Sequence, residues 1–220
     1  MSNYNRQTKS KERVRERGEV FTNEREVKAM CDLVKQETER IDSRFLEPAC
    51  GDGNFLAEIL TRKLAVIKRK YSKSYLDYEK NAVLAASSIY GVDIMLDNVI
   101  ACRERMFDIW DKQYKAVCKA NCNEETRSAV KFILSRNIVC GNALTLYCVD
   151  KNGNETSEPI VFSEWAFVTA SQLQRSDYTF AELLEQDDKQ KQLTIQTRTS
   201  EEGTFLKKCI SHYRRVQENG

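Results

Sequence analysis

The sequence predicts an α/β fold, a parallel sheet with helices on both faces. Three observations predict it. Short extended apolar runs alternate with amphipathic helical stretches between residues 44 and 144, the rhythm that parallel strands joined by crossover helices require. The first of these runs passes straight into a glycine loop that opens a long helix. A length of 220 residues and an apolar share of 41% allow one buried core.

The elements follow in order. Residues 1–17 read as a basic, polar arm carrying Lys9, Lys11, Arg13, Arg15 and Arg17. A helix starts near residue 22: Thr22 or Asn23 can cap it, and Asn23 with Glu26 has the capping-box spacing. Val27, Met30, Cys31 and Val34 then recur at core-facing helical spacing. Arg44–Pro48 is the first strand, stopped by its proline. A helix over Asn54–Lys70 turns Phe55, Leu56, Ile59, Leu60, Leu64 and Ile67 to one side, with the basic residues mostly opposite. A helix over Tyr75–Ser87 precedes the second strand, Ser88–Ile94, and helices over Leu96–Tyr114 and Glu124–Leu134 precede the third, which runs from Asn137 into a loop ending at Leu144. Leu146–Val149, an Asn152-Gly153 turn and Pro159–Phe167 make a hairpin, with Pro159–Phe162 offered as a fourth strand. Residues 186–203 read as a polar loop and Gly203–Tyr213 as a final short helix. The expected organisation is an arm (1–17), a ligand-binding domain (18–168) and a polar extension (169–220).

Composition removes several classes of function. No apolar run approaches the roughly 18 residues of a membrane span, and the start lacks a secretory signal, so the expected location is the cytoplasm. The eight cysteines (Cys31, Cys50, Cys102, Cys118, Cys122, Cys140, Cys148, Cys209) contain no C-x-x-C pair, and His212 is the sole histidine. Reduced thiols packing as small apolar residues are expected, and no metal. A net charge of +2 does not by itself imply a nucleic acid. Arg62, Lys63, Lys68, Arg69, Lys70 and Lys73 form a second basic run beside the arm; either run can meet phosphates or serve as a solvated face.

The chemistry concentrates in Ala49-Cys50-Gly51-Asp52-Gly53-Asn54-Phe55. Gly51 and Gly53 permit a sharp turn and close approach to a ligand. Glu47 ends the first strand, Asp93 the second, and Asn142 follows the third. In a parallel sheet all three emerge at one edge, outside the strand C-termini, where ligands bind. A carboxylate there can accept from ribose hydroxyls, and an amide can meet an adenine ring. A dinucleotide site fits less well: Leu56 replaces the third glycine, and the acid lies about forty residues on rather than roughly 20. Taken singly, Phe21 can be a hydrophobic staple, Asp93 a helix cap and Asn142 a turn residue.

Glu47-Pro-Ala-Cys-Gly-Asp-Gly-Asn-Phe55 closely resembles the S-adenosylmethionine (SAM) motif I of the adenine-N6 DNA methyltransferases. Gly18-Glu-Val-Phe-Thr22 resembles the family's motif X, Gly91-Val-Asp-Ile94 its motif II and Gly141-Asn-Ala-Leu144 its motif III, where Asp is more usual than Asn142. The resemblance spans about residues 18–144 and implies part of a Rossmann-like, class I SAM-dependent methyltransferase domain. It implies Phe21 and Thr22 near the methionine portion, Glu47, Ala49, Gly51 and Gly53 along the cofactor loop, Asp93 at the ribose and Asn142 near the adenine. SAM is the implied cofactor, DNA the implied partner, and restriction–modification the implied setting.

The family's catalytic Asp/Asn/Ser-Pro-Pro-aromatic motif is missing, since Pro48 and Pro159 are the chain's two prolines. Ser163 and Trp165 are candidates for its place by position alone: Ser163 for the polar position, Trp165 or Phe167 to stack on a flipped base. The same spacing is that of strand residues alternating into a core. Methyl transfer needs in-line placement, so weak or no methylation is expected of this chain alone. A second subunit would then supply the catalytic motif or target recognition. A non-catalytic SAM- or DNA-binding subunit and a SAM enzyme acting on RNA or protein stand as alternatives.

Overall fold

The computed structural model describes residues 22–185 and 206–220. The arm, Phe21 and the loop expected at 186–203 lie outside them. The fold is mixed α/β. Helix α1 (Glu24–Leu33) and a single turn at Lys35–Thr38 lead to β1 (Phe45–Glu47), α2 (Asn54–Tyr71), α3 (Tyr75–Ser87), β2 (Ile89–Asp93), α4 (Leu96–Cys118), α5 (Glu124–Asn137) and β3 (Ile138–Asn142). Then come mainly strands: β4 (Tyr147–Val149), β5 (Glu155–Pro159), β6 (Val161–Phe167), β7 (Gln172–Thr179) and β8 (Lys207–His212), with a helical stretch over 180–185 and a 3-10 turn at Val216–Asn219.

One sheet has the order β1-β2-β3-β4-β5, parallel from β1 to β3 and antiparallel after it. Because the chain steps from β1 to β2 to β3 in one direction, right-handed crossovers put every connecting helix on the same side. Packing agrees. Ile89 and Ile138 join the helices in the main core, while Tyr90 and Val92, pointing the other way, pack with Ile160, Phe162 and Phe180. Helices on both faces were expected. Helices α1–α5 line one face, and the opposite one meets Ile160, Phe162 and the helical stretch at 180–185 through Phe180 and Leu183.

The Asn152-Gly153 turn forms as expected, with Gly153 at φ 84°, but it joins β4 to β5. Pro159 ends that hairpin. Val161–Phe167 belongs to a second, antiparallel sheet, β6-β7-β8, so it does not form the fourth parallel strand, and among the described residues β1 is an edge. Residues 207–212 are strand where the last helix was expected, because they alternate against β7 along six paired positions. A boundary at 168 would part β6 from β7, which pair over seven positions. Trp165, Leu173, Tyr213 and Val216 also share the main core with the helices.

Within the helices burial broadly follows the apolar stripes, with departures on α1 and α2 among others. On α1 only Val27 and Cys31 are buried; Met30, Leu33 and Val34 are exposed. On α2, Lys63 lies inside the stripe at 0% exposure. Its ammonium donates to Ile41 O (3.2 Å), to Ser43 O and to Ser88 Oγ (2.6 Å), tying the lead into β1 to the end of α3. Burial lowers its pKa to about 7, while the three acceptors satisfy the ammonium's donors. Below pH 7 the folded protein holds a desolvated charge. Above it, the unfolded chain keeps the proton to about 10.5 and the folded chain sheds it, so stability rises with pH. The slope is at most about 1.4 kcal/mol per unit. Above about pH 8.5 the unfolded thiols ionise while the buried ones, raised by burial, do not, and this opposes the trend. Denaturant midpoints from pH 7 to 8.5 are expected to climb in the native protein and to climb less in Lys63→Met; equal slopes would remove Lys63 as the cause.

No helix among the described residues is long and apolar enough to cross a membrane, and none of their His, Cys, Asp and Glu groups forms a cluster able to hold a metal.

Candidate functional site

Parallel pairing places Glu47, Asp93 and Asn142 at the same edge, the C-terminal tips of β1, β2 and β3. Register also sets their face. Glu47 lies opposite Gly91, and Asp93 opposite Cys140; alternation then puts Glu47, Asp93 and Asn142 on the same side of the sheet as Gly91, the helix side.

The loop between β1 and α2 is fastened to β2. Cys50 donates its N–H to Val92 O (2.9 Å), and Gly51 donates to Asp93 Oδ2 (2.9 Å). Gly51 and Gly53 both have positive φ, 53° and 89°, a region where a Cβ is strained. Gly53 is also closely backed: a Cβ there would stand 2.6 Å from Cys102 Sγ and 3.2 Å from Met106 Cε. At Gly91 the space a Cβ would need is taken by Cys50 and Leu56, each at 3.0 Å. Gly53 caps α2 with no side-chain acceptor, which leaves first-turn N–H groups of that helix facing out over the strand tips.

Asp93, to which the resemblance gives a ribose role, is bonded both to the loop and to the start of α4. Oδ1 accepts from Met95 N–H (2.8 Å) and Asn98 Nδ2 (3.2 Å), holding the start of α4, and Oδ2 accepts from Gly51. A carboxylate has about four acceptor sites, so these bonds leave room on Oδ2 for one further donor. Glu47 is half-buried. Burial pushes its carboxyl up, and the Ala49 N–H it accepts pulls it back. Asn142 is engaged as a turn residue: Oδ1 accepts from Leu144 N–H (3.0 Å) and Nδ2 donates to Glu155 Oε2 (3.1 Å). Ala49 is exposed on the loop. The Cys102 thiol beside it and burial push the Cys50 thiol far up, so Cys50 is packing rather than a nucleophile.

Thr22 is exposed just ahead of α1 and joins the site through its backbone, its carbonyl accepting from Asn54 Nδ2 (3.3 Å). Asn23 is the cap, accepting from Arg25 N–H.

Ser163 and Trp165 are not brought to this edge. Ser163, 0% exposed, donates to Asp177 Oδ1 (2.6 Å), and its carbonyl accepts from Tyr90 OH (3.0 Å). Trp165 donates from Nε1 to Asn137 Oδ1 (3.0 Å), and between them Glu164 pairs with Arg44. Arg44, Tyr90 and Asn137 all stand at the N-terminal ends of the parallel strands. β6 therefore crosses the end of the sheet opposite the loop, and Trp165 faces the core as an alternating strand residue. The second basic run is divided as well. Lys63 is buried, Arg62 is bonded to Glu58 (2.7 Å) and Asp32 (2.8 Å), and the exposed Lys68, Arg69 and Lys70 close the last turn of α2. At 1.5 Å per residue, that is roughly 20 Å from the loop, and cations there complement the helix C-terminus.

Residues that sequence reasoning missed sit behind the loop on α4. Val99, Cys102, Met106, Trp110, Tyr114 and Cys118 form its buried stripe, legible as periodicity, but nothing in that pattern says which loop the stripe meets. Arg105, beside the stripe, reaches the loop from Nη1: Asp52 O (3.4 Å), Asp52 Oδ1 (3.3 Å) and Asn54 Oδ1 (2.7 Å).

No family model, curated protein or solved structure matches this chain.

Proposed function

We propose that this chain is the SAM-binding portion of an adenine-N6 DNA methyltransferase, with a Rossmann-like sheet. The observation that carries the reading is the bond from Gly51 N–H to Asp93 Oδ2 at 2.9 Å. It joins the two stretches that resemble motifs I and II, residues 47–55 and 91–94, into one surface at the strand tips. The residues fit the cofactor: Asp93 retains acceptor capacity for a ribose hydroxyl, Glu47 stands beside it, and Gly51 and Gly53 keep the loop backbone bare. Bound SAM would supply the methyl group that adenine N6 attacks, leaving S-adenosylhomocysteine. Asn142 holds its turn in this arrangement, so a part for it at the adenine requires its amide to leave Glu155.

A second reading, a subunit that holds SAM or DNA for a partner, is favoured by two observations. Ser163 and Trp165 lie at the wrong end of the sheet, and among the described residues β1 has a strand on one side only. In open α/β sheets the ligand crevice forms at a switch point, with strands on both sides; a partner strand beside β1 would complete it and bring the missing catalytic residues. DNA contact then falls to the partner and the basic arm. Methyl transfer to RNA or protein remains the third reading, because the loop identifies the donor rather than the acceptor.

Thermal melts of the purified chain with rising SAM or S-adenosylhomocysteine test the first reading. Stabilisation that grows with the logarithm of ligand concentration is expected, about 2.7 kcal/mol at a hundredfold excess over Kd. A folded sample that neither compound shifts at millimolar concentration would sink it. Methyl incorporation into DNA, RNA and protein, by the chain alone and with candidate partner subunits, then separates the three readings.

A further inference from the structure

We propose that Arg105 is a positioning residue that sets the glycine loop and the segment ahead of α1 as one unit, so that two walls of the site form together. The inference rests on the SAM reading for its functional consequence, but its geometry stands alone. One nitrogen, Nη1 of Arg105, gathers three oxygens of the loop: the Asp52 carbonyl, the Asp52 carboxylate and the Asn54 side-chain carbonyl. The other half of the Asn54 amide donates to Thr22 O at 3.3 Å. Both polar ends of Asn54 are thus in use, one toward α4 and one toward the chain entering α1. Glu24, in the first turn of α1, feels the same guanidinium: after its bond to Lys28, Arg105 is among the charges that lower its carboxyl.

This arrangement has a reason. Gly53 and Gly51 have no side chains of their own to fix the loop, and the loop's inward bonds, to Val92 O and Asp93, hold only its inner turn. The outer turn, Asp52 to Asn54, is held from α4. Thr22 lies in the stretch that resembles motif X, so the Arg105–Asn54–Thr22 relay joins that stretch to the loop before any ligand arrives. A loop ordered in advance costs less binding energy than one that must be ordered by the ligand.

The test is hydrogen exchange of the ligand-free chain, followed by SAM titration. Arg105→Met is expected to speed exchange in two peptides at once, the loop (48–57) and the first turn of α1 (22–28), and to weaken SAM binding at least tenfold. Since all three contacts converge on a single nitrogen, a lysine ammonium with its three donors can reproduce them, and Arg105→Lys is expected to restore most of both effects. Asn54→Ala should loosen residues 22–28 as Arg105→Met does, and the double variant should be no worse than either alone. Arg105→Met with unchanged exchange in residues 22–28, or a lysine variant no better than methionine, overturns the proposal. If SAM fails to bind the native chain, the cofactor reading falls while the exchange data still decide the coupling.

Discussion

Glu79→Ala is expected to cost about 3–5 kcal/mol in urea unfolding, the range for breaking a buried charged network by removing one partner. Glu79 on α3 is 0% exposed. Its carboxylate accepts from Tyr114 OH on α4, from Tyr213 OH (2.5 Å) and from Arg214 Nε (2.8 Å), with Arg214 Nη2 at 2.6 Å. Tyr213 and Arg214 directly follow β8, so this one side chain fastens the end of the second sheet to the helical layer. Removing it strands two phenols and a guanidinium, the guanidinium 22% exposed and partly able to reach water. Glu79→Gln keeps the shape and one acceptor and should lose less, about 1–3 kcal/mol. Arg214→Met should loosen β8 in the same direction, and the pair should be strongly non-additive with Glu79→Ala. A loss below about 1 kcal/mol for Glu79→Ala would mean that the C-terminal sheet docks by its apolar contacts alone.

How much of this was legible beforehand follows a physical division. The helices were, because their stripes are long: α3 runs Tyr75–Ser87 as read, and α4 and α5 extend only a few residues beyond the expected ends. The parallel strands were legible too, each bracketed by a helix and by Pro48, Asp93 or Asn142. Legibility failed where the deciding contacts are non-local. Val161–Phe167 alternates equally well as a parallel strand or as the edge of an antiparallel sheet. Its strand partner β7 follows it directly in sequence, but its place in the fold is set by Arg44, Tyr90 and Asn137, all distant in sequence. The same ambiguity moved Ser163 and Trp165 from one end of the sheet to the other. β8 was read as helix for want of a period long enough to tell the two apart. Lys63 was misplaced for another reason: charge argues for water, whereas its position in the apolar stripe argued for burial, and two backbone carbonyls plus Ser88 settled the matter. At the site, the glycines and acidic tips could be read from local sequence. Arg105 could not, since its role depends on α4 crossing behind a loop about fifty residues earlier in the chain.

Gly53→Ala isolates what that crossing contributes. Two separate costs act at one atom. A methyl group at φ 89° is strained in any surroundings, about 1–2 kcal/mol. It also has nowhere to go, with Cys102 Sγ at 2.6 Å and Met106 Cε at 3.2 Å on a helix whose stripe is fully buried; overpacking of this kind adds about 1–3 kcal/mol. The chain can relieve the clash by lifting the loop off α4, but the loop is also where Gly51 meets Asp93 and where α2 begins, so relief there opens the proposed cofactor surface. The expected result is therefore a stability loss of about 2–5 kcal/mol together with SAM binding weakened more than tenfold. Cys102→Ala in the same chain removes the sulfur and should recover the packing part but none of the backbone part, a partial rescue that urea unfolding and SAM titration can read side by side. Full rescue would assign the whole effect to the sulfur contact and make the left-handed turn incidental. No rescue would place the loop away from α4, and with it the ground for joining residues 47–55 and α4 in one site.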